Sequence, residues 1–287
     1  MAKRPVVEAM AGMTFGCDPE LFVLDADGNA VCADGLIPGT KEDPYPVEGG
    51  AVQVDGMAAE FNIDPVNTYE DFNRNINKVL GQLKKMLPKG YTLSAVPSVT
   101  FSEKVWEESP DHAKILGCSP DYNAWDGTTN LPPDGGLLPR TRTASGHLHI
   151  GWTEGADTTD AQYVAACRDL VKQLDWYLGG WSLLMDQDPV RRKLYGKSGA
   201  MRFKPYGVEY RVLSNFWLTS PERKRAVWNR LQRAIRDMST MYMPNTKQGG
   251  FTFSNPNQIL RDSIDSSNPL PANFRANFYN PLVSVNC

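Results

Sequence analysis

Hydrophobic and polar positions alternate along the first sixty residues and then change to helical spacing. Side chains two apart on a strand share a face, whereas apolar residues at i, i+3 and i+4 line one side of a helix. The alternation from Thr14 to Leu24 and from Ala30 to Cys32 predicts two strands, joined by a turn at Asp25-Ala26-Asp27-Gly28-Asn29. Gly35 to Gly50 is rich in glycine and proline and reads as loop. Ala51 to Ile63 reads as a second strand pair bent at Asp55-Gly56. Thr68 then caps a helix whose apolar stripe is Phe72, Ile76, Val79, Leu80, Leu83 and Leu87, and Pro88 and Gly90 end it.

Tyr91 to Phe101 returns to strand, and Gly117 to Arg142 is an irregular segment long enough to act as a binding loop. A strand through His147 and His149 leads to a helix from Thr159 to Asp186, interrupted at Gly179-Gly180. Its buried face includes Val164, Cys167, Leu170, Val171, Leu174 and Tyr177. Ser220-Pro221-Glu222 supplies a cap, a first-turn proline and an acidic first turn for a further helix running toward Met241. Hairpin strands with helices between them predict an α+β fold, a mainly antiparallel sheet covered by helices on one face. Residues 1–245 form one predicted domain. Residues 246–287, rich in Asn, Pro and Ser, are expected to be an extended tail packed on the body through Phe251, Phe253, Phe274 and Phe278.

Composition narrows the function classes only a little. The chain has 287 residues and a formal net charge of −3, which gives no electrostatic basis for bulk nucleic-acid binding. No apolar run approaches the roughly 18 residues of a membrane span, and the polar start does not read as a signal peptide, so a cytoplasmic location is expected. Cys17, Cys32, Cys118, Cys167 and Cys287 are scattered and odd in number, which points to reduced thiols. Oligomeric state is not legible.

Candidate chemistry lies in four short segments. Only three histidines occur, and the spacing of His147 and His149 aims both rings at one face of a strand. Asp18 and Glu20 share a strand face in the same way, though Pro19 between them calls for an edge strand or a bend. Glu60 sits in apolar surroundings near Asp55, and Glu209 and Arg211 share a face of a third strand. The stretch from Arg191 to Lys204, with Arg192, Lys197, Arg202 and Lys204, is dense in cations suited to phosphate. Its Gly196-Lys197-Ser198 is not a P-loop, because the required first glycine falls at Arg191 and no strand-to-helix transition follows.

In order, Asp18-Pro19-Glu20, Glu60, Ser145-Gly146-His147-Leu148-His149 and Glu209-Tyr210-Arg211 resemble the motifs of the glutamine synthetase-like carboxylate–amine ligases, the amidoligases. The phage-type COOH·NH2 ligase group is the nearest match. Asp18 stands where many relatives have glutamate, and Gln53 or Asp55 lies near a further family carboxylate, so the ion count stays open at two or three. The resemblance implies a curved sheet with helices on its convex face and ATP with Mg²⁺ or Mn²⁺ on its concave face. It also implies amide formation through an acyl phosphate from small-molecule or peptide acids and amines, in a host cytoplasm if phage-encoded. On that resemblance Glu20, Glu60, His147 and Glu209 are metal ligands, and Asp18, His149, Lys197 and Lys204 bind the cofactor. Arg192, Arg202 and Arg211 are then catalytic. Two alternatives stand beside it: a cupin metal site from His147, His149 and Glu154, and a nucleotide-binding protein without catalysis.

Overall fold

The computed structural model describes residues 12–115, 121–130, 138–238, 247–248, 251–252 and 256–271. The first strand β1 (Thr14–Leu24) turns into β2 (Ala30–Val31). A short edge strand β3 (Tyr45–Val47) lies inside the expected loop and precedes the hairpin β4 (Gly50–Asp55) and β5 (Ala58–Ile63). Helix α1 (Tyr69–Met86) follows, capped by Thr68, whose Oγ1 accepts from the Asp71 N–H at 3.1 Å and donates to Asp71 Oδ2 at 2.8 Å. Thr68→Ala should lower unfolding free energy by about 1 kcal/mol, read as a shift in urea midpoint at constant slope.

The expected strand from Tyr91 to Phe101 is broken into β6 (Thr92–Ser94) and β7 (Ser98–Thr100). Short helices α2 (Glu103–Glu108) and α3 (Asp111–Lys114) precede strands β8 (Asp121–Asn123), β9 (Thr129–Asn130), β10 (Thr141–Thr143) and β11 (Gly146–Gly151). The long helical segment is α4 (Ala161–Leu174), one π-helical stretch (Asp175–Gly179) and α5 (Gly180–Met185). The turn α6 (Arg191–Leu194), the hairpin β12 (Ala200–Lys204) and β13 (Gly207–Tyr210), and helix α7 (Pro221–Met238) follow. A two-strand ribbon of β14 (Lys247–Gln248) and β15 (Phe251–Thr252) precedes α8 (Pro256–Ser266).

The main sheet is antiparallel in every described pairing and runs β3-β4-β5-β1-β11-β13-β12-β8-β9, with β2 and β6 also paired to β1. Its odd-numbered side chains on β1, among them Phe15, Cys17 and Leu21, are buried, as are Leu148, Ile150, Val208 and Tyr210 on the neighbouring strands. This apolar face packs under the helices. Trp228 of α7 meets Phe15 of β1 and Tyr69 and Phe72 of α1, so one indole joins sheet and helix layer. The protein is thus mixed α+β, a large antiparallel sheet whose helices take one face and leave the other for polar chemistry.

Two expectations change. Pro19 lies on a central strand, at the point where β1 pairing with β11 ends and pairing with β5 begins at Glu20, so the missing N–H breaks no ladder. The tail is not extended throughout, because 256–266 form a helix whose Leu260 and Ile264 are fully buried in the main core. Their i, i+4 spacing is the signal that the polar composition hides. The N-terminal arm, most of the 117–142 loop, the end of the helix expected at Met241, and the Phe251, Phe253, Phe274 and Phe278 side chains lie outside the described residues.

Candidate active site

The polar face is built by register. Asp18 lies opposite His147, Glu20 opposite Glu60, and Glu60 opposite Gln53. His149 lies opposite Glu209, and Glu209 opposite Arg202. Because alternate residues share a face, these pairings form a polar row across six adjacent strands. Much of the row lines a cleft open to solvent, whose walls include Asp18, Glu20, Asp55, Glu60, His147, Arg202 and Arg211. The turn into β11 needs Gly146, since a Cβ there would stand 2.4 Å from the Ser214 carbonyl oxygen.

Within the row, ligand-type atoms gather in two groups. Asp18, His147 and Glu209 form one, and Glu20, Asp55 and Glu60 the other, with atoms in each within 4.8 Å of one another. In the first group His147 Nδ1 lies 3.5 Å from both Asp18 Oδ1 and Glu209 Oε1. Its Nε2 is buried and makes no hydrogen bond. Burial, then Arg211, push the imidazole down to about 3, so it is the neutral, ligating form and its carboxylate contacts are not ion pairs. His149 is different, with Nε2 3.0 Å from Asp18 Oδ1 and Nδ1 hydrogen-bonded to the Tyr206 hydroxyl at 2.5 Å. Burial pulls this ring down, but the Asp18 carboxylate overrides it and raises its pKa. Burial likewise opposes the charge of Asp18, yet the two imidazoles prevail and hold that carboxyl well below the usual range.

The second group is strained by charge. Burial, then Asp55, push Glu20 up to about 8 against the Ser145 N–H that donates to its Oε2 at 2.8 Å. Burial, then Asp18, Asp55 and Glu20, raise Glu60 well above the carboxylate range, while Gln53 donates to it at 3.1 Å. Three carboxylates in one partly buried group repel unless protonated or joined by a cation. Oxygen-rich sets with one neutral imidazole and no thiolate fit hard divalent ions such as Mg²⁺ or Mn²⁺. The unpartnered His147 Nε2 agrees with that fit.

Cations flank the first group. Glu209, fully buried, is bonded to Arg211, and lies 3.0 Å from Lys204 Nζ and 3.5 Å from Arg202 Nη1. Arg211 Nε also reaches Asp121 Oδ2 at 3.3 Å. Two expected cations are not brought here. Arg192 is buried away from the cleft and donates to Ser182 Oγ at 2.7 Å, because it lies on the side of α6 facing α5. Lys197 donates to the Asp265 carbonyl at 3.0 Å and ties the loop to α8. His149 and Lys204 stand beside the cleft and are not among its lining residues. Glu154 is exposed beyond β11 and belongs to neither ligand group, so the cupin triad is not assembled. Asp121 and Arg142, which brace or line the cleft, come from segments with no motif, while Ser145 and Tyr195 line it from within stretches singled out for other residues.

The architecture and its acidic cleft define a mixed α+β protein with two carboxylate-rich groups on one sheet face. Residues 144–248 match the family model of the Phage phiEco32-like COOH.NH2 ligase-type 2 proteins, a stretch that carries His147, His149, Glu209 and Arg211. The chain therefore resembles the phage-type carboxylate–amine ligases. No curated protein matches the chain. Among solved structures, a bifunctional glutathione synthetase from Pasteurella multocida aligns at 9% identity and a TM-score of 0.42, over 97% of this chain and 48% of that one. The chain spans about half the length of that protein.

Proposed function

We propose that the protein is an ATP-dependent carboxylate–amine ligase with a glutamine synthetase-like fold. ATP and the acid are held on the polar, concave sheet face, and an amide forms through an acyl phosphate. The observation that carries the reading is the register that aligns Asp18, Glu20, Glu60, His147 and Glu209 into two partly buried ligand groups beside Arg202 and Arg211. Glu20, Asp55 and Glu60 would hold one ion, and Asp18, His147 and Glu209 another. Divalent ions held by these residues would supply positive charge to neutralise a triphosphate.

The chain's own groups supply the rest. Arg202 and Arg211 offer guanidinium forks for a carboxylate or a transferred phosphoryl group, and Glu209 fixes both in place. Lys204 supports the phosphates from beside Glu209, and His149 holds Asp18 in its charged form. The acid oxygen attacks the γ-phosphorus and ADP leaves. The amine nitrogen then attacks the acyl carbon, phosphate leaves, and the ammonium proton passes to solvent. Residues 1–245 would be the catalytic domain and 246–287 a C-terminal extension. Small-molecule or peptide acids and amines are the expected partners, in the cytoplasm. Among the described residues no helix is long and apolar enough to cross a membrane.

The test is a screen of acids and amines for ADP release with Mg²⁺, followed by oxygen-18 tracing. With the acid carboxylate labelled, one labelled oxygen should appear in the released phosphate. Unlabelled phosphate, or release of AMP, would sink the acyl-phosphate route.

A further inference from the structure

Of the two arginines that open α6, Arg191 is the one that reaches the frame of the cleft. It is fully buried, and its guanidinium donates to four acceptors: Ala144 O at 3.1 Å, Val212 O at 2.8 Å, Ser145 Oγ at 3.2 Å and Leu213 O at 2.8 Å. Ala144 and Ser145 lead into β11, and Val212 and Leu213 follow β13. At the same junction the Gly146 N–H donates to Leu213 O at 3.0 Å, and the Ser145 N–H is the donor that holds Glu20. One side chain therefore ties together the end of the strand bearing Glu209, with Arg211 just beyond it, the start of the strand bearing His147, and the donor that orients Glu20.

The local chain is shaped to admit it. Asp188 Oδ1 accepts from the N–H groups of Val190 at 2.7 Å and Arg191 at 2.9 Å, which fixes where α6 begins. Gly196 has φ of +72°, and a Cβ there would stand 2.2 Å from Arg191 Nη1. Among the described residues no carboxylate lies within ion-pair distance of Arg191; its hydrogen bonds go to carbonyl and hydroxyl oxygens, and Asp186 and Glu20 favour its charge from further away. Burying a charge costs stability, which these four hydrogen bonds offset in part, and the same bonds fix the two strand ends against each other.

We propose that Arg191 is a positioning residue for both ligand groups: it sets the spacing of β11 against the end of β13 and, through Ser145, the aim of Glu20. The inference rests on the ligase reading only in taking those groups to bind divalent metal. Groups that orient metal ligands typically change affinity by about 10- to 100-fold when altered.

The probe is Mn²⁺, titrated into the full chain and followed by the electron paramagnetic resonance signal of free ion, with circular-dichroism melts of every variant. Arg191→Lys keeps the charge but loses the fork, and should raise the Mn²⁺ Kd by about 10- to 100-fold while still melting cooperatively. Ser145→Ala removes one of the four acceptors and should raise Kd less, in the same direction. If Arg191→Lys does not fold, Ser145→Ala decides. Wild-type Mn²⁺ affinity in the deciding variant, whatever its melting temperature, overturns the proposal while the ligase reading stands. Wild-type protein that binds no Mn²⁺ overturns the ligase reading and this one with it.

Discussion

Glu20→Gln is expected to abolish amide formation while leaving the metal-free protein as stable as wild type or more so. Glu20 is pushed up to about 8 by burial and by Asp55, so near neutral pH the folded protein holds it largely protonated. The unfolded chain ionises it near the ordinary glutamate value of about 4.3. The folded state therefore binds the extra proton between those two values, and metal-free stability falls as pH rises from about 4.3 to about 8. Glutamine keeps the shape and can still accept from the Ser145 N–H, so the variant should lose that dependence and melt at or above wild type at pH 8. Catalysis needs the carboxylate, because ligand oxygens must be ionised to hold a divalent ion. A Glu20→Gln enzyme with near wild-type turnover would remove Glu20 from the site, and one that melts well below wild type at pH 8 would contradict the charge argument. Thermal melts with chelator at several pH values, beside a turnover assay, give both readings.

The second large effect separates the two histidines. His147→Ala should remove Mn²⁺ binding at the first group, because it deletes a neutral nitrogen that has no other partner and lies between Asp18 and Glu209. Both nitrogens of His149 are already engaged, by Asp18 and by Tyr206, so His149→Ala should keep metal binding. Its main effect should be a higher apparent KM for ATP. Equal loss of Mn²⁺ from both variants, measured by the same titration, would show that the rings do not divide the work in this way. Since His147 is already pushed down to about 3, its contribution to metal affinity should not vary between pH 6 and pH 8. The proton leaving Glu20, which is pushed up to about 8, should instead make affinity rise across that interval.

Much of this was legible from local pattern. A strand shows its two faces in one sequence, so Asp18 with Glu20, His147 with His149, and Glu209 with Arg211 could be paired before any strand partner was known. Helix α1 was readable because its cap, stripe and stop are all local. Arg192, unlike Arg202 and Arg211, is turned away from the cleft for an equally local reason. Arg191 and Arg192 are chemically identical neighbours, and only the direction of a single helical turn sends one to the strand ends and the other toward α5. Asp121 carried no signal at all, since it reaches Arg211 from a short strand in a segment without a motif.

The α+β character, the candidate ligand types and the residues that share a face are written within single elements, because side-chain periodicity is local. The three-dimensional fold places β1 at the centre, between β5 and β11, and so sets Glu20 beside Glu60 and Asp18 beside His147. It alone separated the carboxylates into two groups and set their protonation. Strand order and register depend on contacts between segments far apart in the chain, and the charge of a buried carboxyl depends on the neighbours those contacts supply.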